Sequence, residues 1–425
     1  MDCRTKAGCS LMMCLAALLG GCAAPAPFPP VDALPASADL PDPLVMFDGS
    51  PVRTRRQWSA RRAELAGLFQ HYMYGTMPAP PPLRADVRFE DPSYLDGKIT
   101  LREIAIGLTP DADGPTMHLL VATPNDAEGP VPCFIMPNFG GNHTLVTSEQ
   151  VAIPAASAPR PRQGQEAESP ASPRRGNRPG RCPIDLIVPR GYAVAVFNYR
   201  EVENDDPAAS RGVRTWYARH EGDAGYTWGA VAAWAWGISR GVDWLVTDPR
   251  IDPSAIISVG HSRNGKAALV AAAFDERIAM AIPNQSGCGG AGPSRTGDTV
   301  SENVEQINRV FPHWFSPVFH QFSDQPERLP FDQHCLIAMV APRPVLLSCA
   351  DQDQWANPDG QFRMLQAADK VYRLLGAEGL AADAMPPLEH LIDSPLGYWI
   401  RPGRHSLGSA EWDIYIRYAD RRLAR

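Results

Sequence analysis

The sequence predicts a three-layer α/β/α sandwich with a mostly parallel central sheet. Three observations lead there. Short β-rich runs alternate with helical stretches along most of the 425 residues, the pattern of strands joined by crossover helices. Hydrophobic residues make up 44% of the chain and charged residues 20%, which is enough apolar material for a large core. The apolar run Ile256-Ile257-Ser258-Val259-Gly260 leads through a tight turn directly into an Ala-rich helix, the strand–turn–helix unit that such sheets repeat.

The leader comes first. Arg4 and Lys6 form a short positive region, and Ser10 to Leu19 is an apolar run too short to span a bilayer. It ends in Leu19-Gly20-Gly21-Cys22, small residues before a cysteine, which resembles a bacterial lipobox. Residues 1–22 are therefore read as an export signal whose end lipidates Cys22, tethering the chain to the membrane on the periplasmic or outer-membrane side. A plain secretory signal cut nearby is the alternative, and it also exports the protein. Residues 23–45 are rich in Ala and Pro and read as an extended tether. Residues 46–425 are expected to form one globular domain.

Within that domain a helix is expected over 55–75, then strands at Val87–Phe89, Ile99–Ile106, His118–Thr123 and Cys133–Pro137. Residues 155–182 hold many Pro, Arg, Ser and Gly and few apolar residues, so they are read as a mobile surface insertion whose Arg cluster is solvated, with a substrate contact as the alternative. Tyr192–Tyr199 is a predicted strand. Trp228–Val246 is a predicted helix that sets Trp234, Trp236 and Trp244 in the core. Ala255–Gly260, Ile278–Pro283 and Pro344–Ala350 are predicted strands; helices are expected from Arg263 to about Phe274 and from near Ser409. No internal repeat is visible.

The formal net charge is -7 and no basic face is announced, which argues against a nucleic-acid partner. Of nine cysteines, Cys3, Cys9, Cys14 and Cys22 belong to the leader, leaving Cys133, Cys182, Cys288, Cys335 and Cys349. No CxxC or HExxH motif occurs, so neither a metal nor another cofactor is expected. An exported chain can hold disulfides, but the spacing does not pair these cysteines. A monomer is expected.

The chemistry points to Gly260-His261-Ser262-Arg263-Asn264-Gly265-Lys266. Glycines on both sides let the chain turn sharply and lift a serine hydroxyl out of the sheet, while the following helix aims its N–H dipoles at the site. The generic elbow is G-x-S-x-G; here the second glycine comes one place late. The bland alternative makes Ser262 a helix N-cap. A nucleophilic serine needs a base, and the base needs an orienting carboxylate. In the α/β-hydrolase fold the chain order is Ser, acid, His. His405, in Arg401-Pro402-Gly403-Arg404-His405-Ser406, sits before the last helix where the base belongs; His390 is its rival, and His313 and His334 read as structural. The strand ending at Ala350 runs into Asp351-Gln352-Asp353-Gln354-Trp355, with Asp353 favoured as the acid and Asp351 as a turn cap.

From about residue 130 to the C-terminus the chain resembles bacterial glucuronoyl esterases, carbohydrate esterase family 15. The resemblance rests on Asn138-Phe139-Gly140-Gly141-Asn142, the Ser-Arg-x-Gly-Lys run at Ser262, Ser286-Gly287-Cys288-Gly289-Gly290, Ile307 to Phe315, and Leu329 to His334. It implies hydrolysis of glucuronic acid esters, above all those linking 4-O-methylglucuronate of glucuronoxylan to lignin alcohols. It also implies that Lys266, Glu302 and Trp355 contact the sugar. Arg263 carries its own logic: a guanidinium beside the nucleophile can stabilise an oxyanion, and a cation at a helix N-terminus otherwise opposes the dipole. By the one-turn spacing, Lys266 is expected on the same exposed face as Ser262. One departure stands out. Some family members place the acid before Ser-Gly-x-Gly-Gly, where this chain has Gln285; an amide cannot stabilise an imidazolium, so the acid is expected from Asp353. Two other readings remain at this stage: an acetyl xylan or other acyl esterase, and an inactive hydrolase fold that only binds glycans.

Overall fold

The computed structural model describes residues 28–153, 174–208, 210–220, 227–296 and 298–423. The leader and most of the 155–182 insertion lie outside the described residues. Nine strands form one sheet: β1 (Arg84–Ser93), β2 (Ile99–Gly107), β3 (Thr116–Pro124), β4 (Val131–Asn138), β5 (Ala193–Asn198), β6 (Ile251–His261), β7 (Ile278–Asn284), β8 (Val345–Ala350) and β9 (Leu396–Arg401). Their order is β1-β2-β3-β5-β4-β6-β7-β8-β9. The pairs from β1 to β5 are antiparallel, and every pair from β5 through β4 to β9 is parallel. This is the α/β-hydrolase fold.

Both faces of the sheet are buried, as a parallel sheet requires. Cys133 and Ile135 of β4, with Ala193 and Ala195 of β5, pack into one core cluster, while Phe134, Met136, Val194 and Val196 pack into the other. The alternation is the period of two that a pleated strand imposes. The longer helices are α1 (Arg55–Phe69), α2 (Val213–His220), α3 (Ala230–Leu245), α4 (Arg263–Phe274), α5 (Val304–Val310), α6 (Gln333–Val340), α7 (Pro358–Leu374) and α8 (Ser409–Arg422). Residues of α1, α3, α4, α6 and α7 fill the first cluster; Trp412, Tyr415 and Tyr418 of α8 fill the second. Trp234, Trp236 and Trp244 are all buried, as the helical pattern predicts.

The Ala/Pro-rich segment departs from the expected tether. From Phe28 onward it packs on the domain: Val31 and Leu34 are buried in the first cluster, and the Phe28 ring lies 6.0 Å from that of Tyr72. Isolated apolar residues among the prolines are enough to dock it. The described body cysteines Cys133, Cys182, Cys288, Cys335 and Cys349 are all free and buried, so no disulfide joins them. Four elements near the site, α5, α6, α7 and β9, were not visible in the sequence pattern.

Candidate active site

The site grows from the C-terminal ends of the parallel strands, where open α/β sheets place their ligands. β6 ends at His261 and α4 begins at Arg263, so Ser262 alone makes the turn, with φ 59 and ψ -127. A non-glycine residue held there stores about 1–3 kcal/mol of strain, which the surrounding bonds must balance. Ser262 N–H donates to the Asn284 carbonyl at 2.9 Å, and the Ser262 carbonyl accepts from Gly265 and Lys266 at 2.8 and 3.1 Å. The Ser262 side chain makes no capping bond to α4, so the N-cap alternative fails.

The shifted glycine has a steric reason. A Cβ on Gly260 would meet the Asn264 carbonyl oxygen at 2.0 Å, and one on Gly265 would lie 3.0 Å from the carbonyl oxygens of Gly260 and Asn284. Asn264, at the place of the usual elbow glycine, is buried and donates to the Pro137 carbonyl at 3.1 Å, tying the elbow to β4.

His405 follows β9 and lines the same two cavities as Ser262. Its Nδ1 lies 2.6 Å from Oδ2 of Asp353, a buried residue just beyond β8. Asp351 is turned elsewhere: it accepts the Gly403 N–H at 2.8 Å and so pins the loop that carries His405. His390 is exposed and lines neither cavity. Gln285, at the alternative acid position, braces the loop from the other side. Its amide accepts from Ser406 N–H at 2.9 Å and donates to the Ser406 carbonyl at 3.1 Å.

His261 adjoins His405, with ring centroids 4.4 Å apart. Its Nδ1 lies 2.6 Å from Oδ1 of Asn284, which fixes Nδ1 as the protonated nitrogen of a neutral ring. Burial, reinforced by nearby His405 and Arg181, pushes its pKa down to about 3. The unfolded chain therefore binds a proton near the ordinary value of 6.5 that the folded chain refuses until about 3. Stability contributed at neutral pH is thus lost as pH falls through that window. His261→Gln, measured by urea unfolding at several pH values, should flatten the decline between those limits; an equally steep decline would assign it to other groups.

Arg263 is locked. It pairs with Asp205, and its guanidinium lies 4.7 Å from the Trp314 ring centroid and 5.3 Å from that of Phe311. Asp205 also accepts from Trp314 Nε1 at 2.9 Å and Tyr199 Oη at 3.0 Å, and meets His313 Nε2 at 2.8 Å. Burial alone would raise the Asp205 pKa, but His313, Arg263 and Trp314 hold it well below the usual carboxylate range. Asp205 is therefore a permanent anion that anchors Arg263. Among the described residues Nε of Arg263 is buried and has no hydrogen-bond acceptor. Sequence reasoning missed Asp205 because, beside nearby Tyr199, its partners come from two distant segments, Arg263 and the pair His313 and Trp314.

Lys266 is not on an exposed face. It is 3% exposed, and its Nζ donates to Glu302 Oε2 at 2.8 Å and to the carbonyls of Ser286 and Cys288 at 2.7 and 2.5 Å. The one-turn spacing does bring Lys266 and Ser262 to one cavity, but bonds to Ser286, Cys288 and Glu302 keep the lysine buried there instead of on the surface. The glycine run makes the room: a Cβ on Gly287 would lie 2.9 Å from Glu302 Oε2. Glu302 N–H donates to the Trp355 carbonyl at 2.9 Å, and Trp355 stands 47% exposed at the cavity edge. Lys266, Glu302 and Trp355 thus line one cavity of about 290 Å³ with Ser262 and His405. Among the described residues no cluster of His, Cys, Asp and Glu is placed to hold a metal ion.

An elbow serine, a histidine bonded to a buried carboxylate and a parallel sheet that presents both define a hydrolase of the α/β-hydrolase class. Comparison with known proteins narrows the class. A family model described as "Glucuronyl esterase, fungi" matches residues 163–376. Carbohydrate esterase MZ0003, from an unknown prokaryotic organism, is 39% identical over 392 positions, covering 90% of this chain and 89% of that one. 4-O-methyl-glucuronoyl methylesterase 1 of Wolfiporia cocos is 32% identical over 349 positions, covering 79% of this chain and 72% of that one. The solved structure of a glucuronoyl esterase from Solibacter usitatus matches at TM-score 0.83 and 33% identity, covering 92% of this chain and 100% of that one. A structure described as a promiscuous CE15 esterase from a marine bacterial metagenome matches at TM-score 0.82 and 38% identity, covering 92% and 98%. The chain belongs to the glucuronoyl esterase family, carbohydrate esterase family 15, and is a carboxylic ester hydrolase.

Proposed function

We propose that this chain hydrolyses esters of glucuronic or 4-O-methylglucuronic acid, as in lignin–glucuronoxylan cross-links, through Ser262, His405 and Asp353. Ser262 Oγ attacks the ester carbonyl as its proton passes to His405. Asp353 accepts the His405 Nδ1 hydrogen and stabilises the imidazolium. The oxyanion is met by the guanidinium of Arg263, which lines the cavity beside Ser262, and by backbone donors of the elbow. Collapse breaks the ester C–O bond, His405 returns the proton to the alcohol, and water then releases glucuronate from Ser262.

One observation carries the substrate assignment: the composition of the cavity shared by Ser262, Lys266, Glu302 and Trp355. Lys266 is charge-balanced by Glu302 and its three N–H donors are taken by Glu302 Oε2 and the Ser286 and Cys288 carbonyls, so the pair brings no net positive charge and presents the other Glu302 oxygen as an acceptor for sugar hydroxyls. The exposed indole of Trp355 supplies an apolar face at the rim. An acetyl group has no use for either. The promiscuous relative makes acetyl xylan the substrate to compare. The expected result is a kcat/KM for benzyl glucuronate well above that for acetyl xylan; a preference for acetyl xylan would move the chain to the acyl-esterase reading, and no turnover of either to glycan binding alone.

A further inference from the structure

Ser262 and His405 face a second cavity, on the side away from Lys266, Glu302 and Trp355. Its volume is about 320 Å³ and its walls include Phe139, Leu145, Leu407, Arg178 and Arg181. Among the described residues no carboxylate lines it. The arginines come from the end of the Arg-rich insertion, which the composition suggested was merely solvated.

The charge balance around the nucleophile is uneven. Lys266 is paired with Glu302, Arg263 with Asp205, and Arg401 with Glu411. The Arg178 and Arg181 side chains have no ion pair or hydrogen bond among the described residues. They are nevertheless held in place through their backbone. Arg178 N–H donates to the Thr144 carbonyl at 2.9 Å, and Trp412 Nε1 donates to the Arg181 carbonyl at 3.0 Å. The next residue, Cys182, is fully buried. Two guanidinium groups with no acidic partner among the described residues therefore line the cavity together with apolar side chains, beside Ser262 and His405.

With the uronoyl group in the Lys266 cavity, the alcohol of the ester must leave through the other one. We infer that this second cavity selects aromatic alcohols that carry a carboxylate: the ring on Phe139, Leu145 and Leu407, the anion on Arg178 and Arg181. Guanidinium is the group best matched to a carboxylate, which it can meet with paired N–H donors. The inference rests on the glucuronoyl-ester reading for its placement of acyl and alcohol, and its test separates the two.

The first arm compares glucuronate esters of benzyl alcohol and 4-(hydroxymethyl)benzoate on the full domain. In low salt the carboxylate-bearing ester should show a kcat/KM about tenfold higher, the product of two partly exposed ion pairs worth about threefold each, and added salt should shrink that ratio. In Arg178→Gln/Arg181→Gln the ratio should fall towards one, and in Arg178→Lys/Arg181→Lys it should largely return. Equal ratios in the wild type and the Gln variant would overturn the inference. The second arm needs no turnover: calorimetric titration of 4-(hydroxymethyl)benzoate should show binding to the wild type that is lost in the Gln variant. If neither ester is cleaved, the glucuronoyl reading fails while this arm still decides the subsite; absent or unchanged binding overturns it.

Discussion

Asp353→Asn is expected to lower kcat by about 10³–10⁴ while the protein stays folded. The carboxylate lies 2.6 Å from His405 Nδ1 and is buried. An amide of the same shape can keep the contact by donating to Nδ1, which forces the proton onto the nitrogen that must accept from Ser262. It also removes the charge that stabilises the imidazolium. Asp351→Asn serves as the comparison. Its side chain only accepts from Gly403, a bond the amide oxygen can keep, so activity should stay within a few-fold. Steady-state kinetics on a glucuronate ester, with circular dichroism to confirm folding, would separate them. A larger loss in Asp351→Asn would exchange the roles of the two residues.

Arg263→Gln is expected to cost about 10²–10³ in kcat with a smaller change in KM, the pattern of a donor engaged in the transition state. Arg263→Lys should not restore the rate. The guanidinium is held by Asp205 and by the faces of Trp314 and Phe311, and an ammonium cannot stack or fork in that way. Asp205→Asn should lose part of the same factor, because Arg263 survives but its anchor is weakened. A variant of Arg263 with normal kcat and a raised KM would make the residue a ground-state binding group instead.

The sheet and the elbow were legible because they depend on local pattern. The Ala-rich run after Ser262 places α4 almost to the residue, and the apolar run before Gly260 places the end of β6 within one residue while missing its first four. Chain order limits the candidates for acid and base, and loop position favours Asp353 over Asp351 and His405 over His390; the structure brings Asp353 and His405 together. What escaped depends on long-range contact. β9 hides in Leu396-Gly397-Tyr398-Trp399-Ile400-Arg401, where a glycine interrupts a run too short to declare itself. α6 is buried along its whole length, so it has no polar face to mark a helical period. Asp205 is defined by Tyr199, Arg263, His313 and Trp314, a grouping that no spacing announces. Lys266 shares the Ser262 cavity as its spacing suggested, but its burial was not legible, because Ser286, Cys288 and Glu302 reach it from distant segments. The arginines of the insertion looked solvated because composition cannot tell that Arg178 and Arg181 return to the cavity wall.

Ser262 is proposed as the nucleophile of glucuronoyl ester hydrolysis. The most direct measurement is release of glucuronic acid from benzyl glucuronate by the domain lacking residues 1–22, set beside the same domain with Ser262→Ala. The predicted result is release by the first that falls to background in the second. Release that persists in Ser262→Ala would contradict the assignment of the nucleophile, and no release from the unaltered domain would contradict the assignment of the substrate.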